Sequence, residues 1–302
     1  MDGLLVIDKP AGPTSHDVVA RMRRVLGERR IGHTGTLDPS ATGLLALVIG
    51  RATRLARFLS AGDKSYDAVV RLGVATDSYD AAGAVIGDAY SGPLPSRDAI
   101  EAALDAFRGT FLQQPPAFSA KKIGGKRSHF LARATPPALP AQPALPAPVR
   151  VTVHRLDVIA VAGDLVTLRV DCSAGFYVRS LAHDLGAHLG TGAHLASLRR
   201  TRSGDLTLAD ALPLAAAEAG ADVARRAVIP LEHMLPGLEE VVLTDTGARH
   251  AAHGKALGSA DVAKGTVDAA APCRLVDARG HLVGIAEPVG RPGLLHPSVI
   301  LV

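Results

Sequence analysis

Aromatic side chains are scarce in this 302-residue sequence: they make up 3% of the residues, and tryptophan is absent. Proteins that bind single-stranded nucleic acid without sequence preference stack successive bases on aromatic rings, so we do not expect a general single-strand binder. Hydrophobic residues nevertheless make up 47% of the chain. We therefore expect a folded protein with a core built mainly from alanine, valine and leucine.

Cysteines and long apolar runs are also rare. The two cysteines, Cys172 and Cys273, lie far apart and lack metal-ligand spacing, which argues against a disulfide framework or a zinc site and favours a reducing cytoplasm. No run of eighteen apolar residues occurs, so we expect no membrane-spanning helix. The residues Met1–Leu4 do not begin a secretory signal pattern, and no such signal is expected.

Positive charge is concentrated in a few segments, although the net charge is only +4. Residues 21–57 carry eight arginines against Glu28 and Asp38, and residues 119–133 and 199–202 add further lysines and arginines without acids. If these segments converge in space, they form a basic face suited to a nucleic acid. The alternative is that each is a solvated arginine-rich surface.

Hydrophobic periodicity and turn residues predict an alternation of strands and helices. The first predicted helix is capped by Thr14 or Ser15 and stops at Gly27. Ser96 is predicted to cap the second helix. Strands are predicted at residues 3–8, 44–50, 64–73 and 165–172, and further helices at residues 178–189 and 215–227. Short C-terminal strands are predicted at residues 241–243, 273–276, 282–286 and 298–302.

A chain of this length allows two domains, or one large and one small. Six prolines between Thr135 and Pro148 predict an exposed, extended connection. Pro230 and Pro236 mark a boundary, beyond which the pattern is that of a small β-rich module. We predict a large domain at residues 1–232 and a small one at residues 238–302.

Motifs for common cofactors are missing. The glycines of residues 32–43 do not match the dinucleotide fingerprint, residues 124–128 are not a phosphate-binding loop, and the Ser-x-x-Lys pattern at Ser119 lacks its companions. We therefore expect no metal, nucleotide or redox cofactor, and chemistry carried by side chains. Asp38 is the best candidate because Pro39 restricts its backbone and the nearby glycines let a bulky ligand approach, although a lone Asp-Pro pair is usually a turn cap.

The segment from Gly32 to Gly43 resembles the catalytic motif of the TruB-type pseudouridine synthases, which modify the T-loop uridine of tRNA. Other segments, in the same order along the chain, resemble the remaining motifs of that family: Leu5–Ser15, Lys64–Tyr66 with Leu72–Asp80, Pro115–Lys122, Cys172–Ser180 and Gly192–Arg200. The chain departs from the pattern at Phe118, where the family more often has Tyr, at Phe176, where Thr is usual, and at residues 127–129, which lack an aromatic.

This resemblance implies an α+β fold: a catalytic domain with a mixed, largely antiparallel sheet and flanking helices, and a small C-terminal PUA-like β-barrel that binds RNA. It implies an isomerase that converts uridine 55 of the tRNA T-arm to pseudouridine by base flipping, as a monomer without cofactor, metal or membrane. Because the reaction only exchanges the N1–C1′ bond for a C5–C1′ bond, one carboxylate suffices and water must be excluded.

The resemblance also assigns roles to residues. Asp38 is the nucleophile or charge stabiliser, with covalent attack on C1′ and elimination to a glycal both left open, and Arg179 keeps it ionised and oriented. Tyr66 stacks on the flipped base above an apolar floor that includes Leu198. The remaining expected binding residues are His33, which fills the space left by the base, Asp80, which binds the uracil edge, Tyr177, which lines the pocket, and Lys9, which supports the site.

Two other functions remain open at this point. A guide-RNA-dependent pseudouridine synthase shares the aspartate motif, although such proteins usually carry basic tails and partner-binding extensions that this sequence lacks. A tRNA-folding chaperone would use the same basic face without chemistry. A nucleoside hydrolase is disfavoured, because no second acid or metal cluster is available to activate water.

Overall fold

The computed structural model describes residues 1–119, 122–123, 126–127, 145–288 and 292–302. Most of the basic segment 119–133 and of the proline-rich connection 135–148 therefore lies outside the described residues. The same holds for the departure from the family pattern at residues 128–129.

Strands and short helices alternate along the described chain. The strands are β1 (Gly3–Lys9), β2 (Ile31–His33), β3 (Thr42–Ile49), β4 (Lys64–Leu72), β5 (Ala75–Thr76), β6 (Val85–Ile86), β7 (Gly109–Gln113), β8 (Lys122–Ile123), β9 (Lys126–Arg127), β10 (Val149–Ala162), β11 (Leu165–Cys172), β12 (Ala193–Ser203), β13 (Leu206–Thr207), β14 (Leu212–Pro213), β15 (Glu239–Leu243), β16 (Val262–Lys264), β17 (Cys273–Val276), β18 (Leu282–Pro288) and β19 (Leu295–Ile300). The α-helices are α1 (Ser15–Leu26), α2 (Ala56–Ala61), α3 (Arg97–Leu104), α4 (Val178–His188), α5 (Leu214–Glu218), α6 (Ala221–Arg226) and α7 (Asp245–Ala252).

The chain divides into two compact units. Unit 1 comprises Met1–Pro39, Leu44–Ser60 and Asp205–Val302, and unit 2 comprises Ser40–Gly43 and Ala61–Gly204. The C-terminal residues thus group with the N-terminal ones. The predicted division into domains at residues 1–232 and 238–302 remains a prediction.

Helix α1 of unit 1 begins and ends where the sequence predicts. The Thr14 hydroxyl accepts a hydrogen bond from the Asp17 backbone N–H at 3.0 Å, and the Asp17 carboxylate accepts one from the Thr14 N–H at 2.8 Å. This reciprocal capping box satisfies two amides that the helix itself leaves unpaired. Gly27 ends the helix with a φ of 68°, and Met22 lies on its buried face.

Two sheets build unit 1. In the first, β1 lies between β14 and β3, and β2 pairs antiparallel with β3. The second is a mixed sheet in the order β16-β15-β17-β18-β19. Alternate residues of the second sheet enter two different cores: Leu243 and Leu275 pack within the C-terminal segment, whereas Leu282 and Leu301 join a core shared with Leu4 and other residues of β1 and β3.

Three of the eight arginines in residues 21–57 bind the C-terminal strand. The guanidinium groups of Arg51 and Arg54 donate to the carbonyl oxygens of Leu301 and Ile300. Arg57 donates to the carboxylate of Glu287 at 2.7 Å. These side chains fasten two parts of unit 1 together, so the positive charge of this segment is not all available to a nucleic acid.

Unit 2 is organised around β4. Its sheet has the order β12-β4-β11-β10-β7, and neighbouring strands in this order are antiparallel. The alternation predicted for β4 is confirmed: Tyr66, Ala68, Val70 and Leu72 are all buried. Helices α3 and α4 add side chains to the same core. The first residues of β3 also belong here, because Thr42 and Gly43 pair in parallel with Arg199 and Arg200 of β12.

Several elements differ from the predictions. The alanine-rich segment 215–227 forms the two short helices α5 and α6 rather than one helix, because the backbone is extended at Gly220. Strands β10 and β12 and helix α7 were not predicted. None of the helices in the described ranges combines the length and hydrophobicity needed to cross a bilayer. The predicted α+β class with a mixed sheet is confirmed.

The shared core of unit 1 predicts that its C-terminal segment is needed for folding. Deleting residues 237–302 removes Val276, Leu282, Ile285, Val299 and Leu301 from that core. Burial of each such side chain contributes about 1.5–3 kcal/mol, against a total stability of roughly 5–15 kcal/mol for a typical domain. We expect the truncated chain to lose cooperative thermal unfolding, measured by circular dichroism. Deletion of Val302 alone, which is 65% exposed, is the control and should leave Tm unchanged. A truncated chain with an unaltered melting curve would contradict this account.

Candidate active site

The loop that carries Asp38 is fixed on its N-terminal side by Ser15. The Ser15 hydroxyl accepts a hydrogen bond from the Leu37 N–H at 2.9 Å and donates one to the Leu37 carbonyl at 3.0 Å. The Leu37 side chain is itself buried, with 3% of its surface exposed. The residue before Asp38 is therefore held at both backbone polar groups by the first residue of α1.

Lys9 fixes the same loop on its C-terminal side. Its side chain has no exposed surface, and its ammonium donates to the carbonyls of Pro10 at 2.9 Å, Pro13 at 2.8 Å and Pro39 at 3.3 Å. The Pro39 carbonyl also accepts from the Gly12 N–H at 2.8 Å. A buried ammonium is tolerated only when its protons are hydrogen-bonded, so these carbonyls and Lys9 require one another. Asp38, half-buried, lies between two immobilised neighbours.

His33 lies on β2 in the same unit, where it pairs with Leu47. Its ring meets the ring of His16 edge to face, with the centroids 5.3 Å apart. Thr34, which follows it, is buried and donates its N–H to the Ala46 carbonyl at 3.1 Å. The start of the glycine-rich loop is thus anchored to β3.

Gly43, the last residue of the glycine-rich segment, packs closely against the backbone of Arg200 in unit 2. Its φ is +96°, and a Cβ atom there would stand 2.2 Å from the carbonyl oxygen of Arg200. No other residue type fits this close approach of two backbones. The glycine at this end of the motif is therefore structural.

Arg179 is a buried cation of unit 2, as are Lys64 and Arg200. It lies in the first turn of α4 and is 7% exposed. Its guanidinium donates to the carbonyl of Ser78 at 3.0 Å and to that of Phe118 at 2.8 Å, and its Nε lies 3.8 Å from a carboxylate oxygen of Asp80. These contacts fix both the position and the plane of the guanidinium.

Asp80 is held in a tight loop between β5 and β6. Its carboxylate accepts from the Ser78 hydroxyl at 2.7 Å and from the Ala82 N–H at 3.0 Å, and its carbonyl accepts from the Thr76 hydroxyl at 2.7 Å. Asp80 also forms a bridge with Leu195 of β12. The loop offers a carboxylate and a backbone carbonyl to Arg179 in a fixed arrangement.

Tyr66 and Leu198 lie on neighbouring antiparallel strands. Leu198 is opposite Ala68 on β4, two residues from Tyr66, so the two side chains are diagonal neighbours on one face of the sheet. Tyr66 is 9% exposed, and Leu198 packs against the same core. The pair forms an aromatic and aliphatic surface.

Tyr177 precedes α4 and is fixed by a residue that the sequence did not single out. The Gln113 side-chain amide donates to the Tyr177 carbonyl at 2.9 Å and accepts from the Tyr177 N–H at 2.8 Å. Gln113 is 2% exposed. One turn along, the Ser180 hydroxyl donates to the Gln114 carbonyl at 2.8 Å. The N-terminal turn of α4 is thereby bound to the end of β7.

Burial changes the acidity of several groups in unit 2. Burial and the neighbouring Arg200 lower the pKa of Lys64 to about 8, and burial raises the pKa of Asp184 on α4 to about 6. Burial also raises the pKa of the Cys172 thiol to about 12, which leaves it protonated and unreactive. Among the described residues, no group of three or more His, Cys, Asp or Glu side chains is arranged to hold a metal ion.

The predicted site residues fall into two sets. Lys9, His33 and Asp38 lie in unit 1, where Lys9 reaches the residue next to Asp38. In unit 2 the structure joins Arg179 to Asp80 and places Tyr66 beside Leu198. The sequence did not identify Ser15, Ser78 and Gln113 as residues that hydrogen-bond to the site. Its only signal for them is a polar residue in or beside a motif.

Comparison with known proteins identifies the family. The model of the TruB family pseudouridylate synthase N-terminal domain matches residues 23–178, more than half of the chain. The model of the tRNA pseudouridylate synthase B C-terminal domain matches residues 179–240. The chain belongs to the TruB family of pseudouridylate synthases. It is therefore an enzyme of the isomerase type that the sequence motifs imply.

Individual TruB relatives match along most of the chain. The tRNA pseudouridine synthase B of Solibacter usitatus (strain Ellin6076) is 44% identical over 303 residues, covering 100% of both chains. That of Gloeobacter violaceus (strain ATCC 29082 / PCC 7421) is 51% identical over 223 residues, covering 73% of this chain and 74% of the relative.

Solved structures resemble the TruB chain at lower identity. A crystal structure of a Cbf5-Nop10-Gar1 complex matches with a TM-score of 0.71 and 28% identity, over 94% of this chain and 78% of that one. An H/ACA RNP bound to a substrate RNA containing 2′-deoxyuridine matches with a TM-score of 0.71 and 24% identity, over 99% and 85% of the two chains. The second likeness concerns the fold alone.

The contacts of Lys9 predict that it positions the loop of Asp38. Lys9→Met removes a donor from the carbonyls of Pro10, Pro13 and Pro39, of which that of Pro39 keeps the Gly12 N–H. Each buried group left unsatisfied costs about 1–3 kcal/mol of stability. We expect the rate of pseudouridine formation by the folded variant to fall about tenfold or more, because Lys9 no longer fixes the loop of Asp38 at Pro39. Activity and Tm are measured together. Lys264→Met, which removes an exposed ammonium, is the matched control and should change neither. Full activity of Lys9→Met would show that the loop is positioned without it.

Proposed function

We propose that this TruB enzyme isomerises the T-loop uridine of tRNA, at position 55, to pseudouridine without a cofactor. The observation that carries the proposal is the immobilised Asp38 loop, held at Leu37 by Ser15 and at Pro39 by Lys9. A carboxylate whose two neighbours cannot move is preorganised for attack at a single atom of a bound substrate.

The reaction needs only such a carboxylate. The N1–C1′ bond of uridine breaks, the base turns, C5 bonds to C1′, and the proton lost from C5 is balanced by one gained at N1. No electrons are exchanged with a cofactor. Asp38 acts at the sugar, either as a nucleophile at C1′ or as the base in an elimination to a glycal. Both routes require an ionised carboxylate and the exclusion of water.

Arg179 is proposed to supply the positive charge that keeps Asp38 ionised and oriented. A charge works in this way when it is fixed before the reaction begins. The carbonyls of Ser78 and Phe118 hold the guanidinium in one plane. Burial at 7% exposure strengthens its field, because little water screens it.

The surface of Tyr66 and Leu198 is proposed to receive the flipped base. Stacking on an aromatic ring compensates for the stacking that the uracil loses when it leaves the RNA loop. Asp80 offers a carboxylate to the N–H edge of the base, and Tyr177 lines the pocket. His33 is proposed to occupy the gap that the base leaves in the RNA.

tRNA is favoured as the substrate over an RNA chosen by a guide. Relatives that carry the name tRNA pseudouridine synthase B are 41–51% identical, several over nearly the whole chain. The chain of the Cbf5-Nop10-Gar1 complex is 28% identical. The exposed arginines at residues 24, 29 and 30 supply positive charge for RNA phosphates.

The C-terminal segment is proposed to be a PUA-like RNA-binding module at residues 238–302, appended to a catalytic domain at residues 1–232. Its five-stranded sheet with α7 supports this proposal. The predicted motif residues all precede Arg202, so the module is proposed to add affinity for the T-arm rather than chemistry. We further propose that the enzyme acts as a monomer in the cytoplasm.

The deciding experiment uses the full-length protein alone with an unmodified tRNA transcript. We expect pseudouridine at the T-loop uridine, mapped by mass spectrometry, and none in a transcript that carries cytidine at that position. Conversion that appears only when a guide RNA and partner proteins are added would favour the alternative. Tight tRNA binding with no conversion would favour a folding chaperone.

Asp38→Asn should abolish turnover while tRNA affinity stays within a few-fold. The amide keeps the shape of the carboxylate but carries no charge and is a poor nucleophile. Affinity depends mainly on phosphate contacts elsewhere. Single-turnover conversion and the Kd from filter binding measure the two effects. Pseudouridine formation by a sequence-verified Asn variant would refute the assignment.

Tyr66→Ala and Arg179→Ala should each slow the chemical step by at least about a hundredfold and change Kd little. Both side chains are proposed to act on the base or on Asp38, whereas the phosphates bind elsewhere. Tyr90→Ala, at an exposed tyrosine of unit 2, is the matched control for loss of a ring. Unchanged single-turnover rates with a raised Kd would instead make these two residues binding contacts.

A further inference from the structure

Tyr79 has a backbone conformation that few residues adopt. Its φ is +65°, in the left-handed region that normally requires glycine, and Leu235 is the other non-glycine residue with positive φ in the described chain. Such a conformation persists only when surrounding contacts enforce it, and such residues cluster at functional sites. Tyr79 lies between Ser78 and Asp80, the two residues of this loop that contact Arg179.

The side chain of Tyr79 is held by a histidine of α4. The rings of Tyr79 and His183 are stacked, with centroids 3.8 Å apart and planes inclined by 13°. The backbone of Tyr79 is held as well: its carbonyl accepts from the Leu195 N–H at 2.9 Å. The loop is therefore bound to β12 through its backbone and to α4 through this ring.

His183 and Arg179 are four residues apart on α4 and so lie on the same side of the helix, one turn from each other. Both reach the same loop, Arg179 through the Ser78 carbonyl and His183 through the Tyr79 ring. The stack is the second of two adjacent attachments between helix and loop. Without it, the loop keeps its bond to Arg179 and its backbone bonds to β12 but loses its ring contact with α4.

The two rings stack without charge at neutral pH. Burial lowers the pKa of His183, which keeps the imidazole neutral. Burial, and the nearby Asp184, raise the pKa of Tyr79, which keeps its hydroxyl protonated. The His183 Nδ1 atom is buried without a hydrogen-bond partner, and the face of the ring packs against Tyr79.

We propose that the Tyr79–His183 stack positions Arg179 and Asp80 for the isomerisation step. Both are positioning residues, since they act through the guanidinium and the carboxylate rather than on the substrate. This inference rests on the proposed function, in which Arg179 orients Asp38 and Asp80 binds the uracil. The stack would then set the rate of the chemical step and leave RNA affinity nearly unchanged.

The test compares variants that lose the stack with variants that keep it, all in the full-length chain. Tyr79→Ala and His183→Ala should each lower the single-turnover rate about tenfold or more, with Kd for a tRNA transcript within about threefold. Tyr79→Phe and His183→Phe keep a flat ring and should restore the rate to within about threefold. His188→Ala, at the other histidine of α4, is the matched control and should not change the rate.

Two further variants separate positioning from general stability. Tyr79→Gly loses the ring but relieves the left-handed backbone, so its Tm should not fall while its rate falls as in Tyr79→Ala. In an Arg179→Ala background, His183→Ala should have no further effect on the rate, because the residue through which it acts is gone. A full additional tenfold loss there would overturn the proposal.

A crystal structure of His183→Ala tests whether the stack holds Arg179 without depending on the proposed function. We expect the bond between Arg179 and the Ser78 carbonyl to lengthen beyond about 3.5 Å or to change partner. An unchanged Arg179, together with wild-type rates in both alanine variants, would overturn the inference. If the wild-type protein converts no tRNA, the proposed function fails, and the position of Arg179 in this structure still decides whether the stack holds it.

Discussion

The buried ammonium of Lys9 determines the shape of the loop that carries Asp38. Three carbonyls converge on it, and two of them, from Pro10 and Pro13, belong to the turn that leads into α1, whereas the third, from Pro39, follows Asp38. These prolines interrupt regular secondary structure, so their carbonyls need a donor from outside a helix or sheet ladder. Lys9 supplies it from the end of β1, while Ser15 fixes Leu37 from the start of α1. The position of Asp38 is thus set by a strand end and a helix start, both of which are rigid.

Unit 2 uses a comparable arrangement for its cation. Gln113 and Ser180 bind the first turn of α4 to the segment after β7, and the loop around Asp80 is closed by its own hydroxyl and amide donors. Arg179 is therefore fixed from the helix side and from the loop side. In both units, neighbouring polar side chains fix the backbone beside the residue proposed to act. The fold at these sites depends on Ser15, Gln113 and Ser180. We expect substitutions there to impair activity although these side chains do not contact the substrate.

The sequence predicted the elements whose signals are local. Thr14 with Asp17 and Gly27 predicted both ends of α1, and the alternation after Lys64 predicted β4. It failed for β12, whose arginines and two irregularities in pairing hide the strand pattern, and for β10, a 14-residue strand with bulges at two places. The residue types of the site followed from motif resemblance. The contacts of Ser15 with Leu37 and of Gln113 with Tyr177 join residues 22 and 64 positions apart, and no local pattern reports such pairs.

The shared core of unit 1 has a consequence for synthesis on the ribosome. Unit 2 is almost continuous in sequence, so its sheet can form as soon as residues up to Gly204 have emerged. Unit 1 must wait, because Leu4 packs in the same cluster as Val299 and Leu301, nearly three hundred residues later. During that interval β1, the first helix and the loop of Asp38 belong to an incomplete body with exposed apolar surface, which is the condition under which nascent chains need chaperones. Asp38, the carboxylate proposed to carry the chemistry, is therefore among the earliest residues to be translated and among the last to reach its final position.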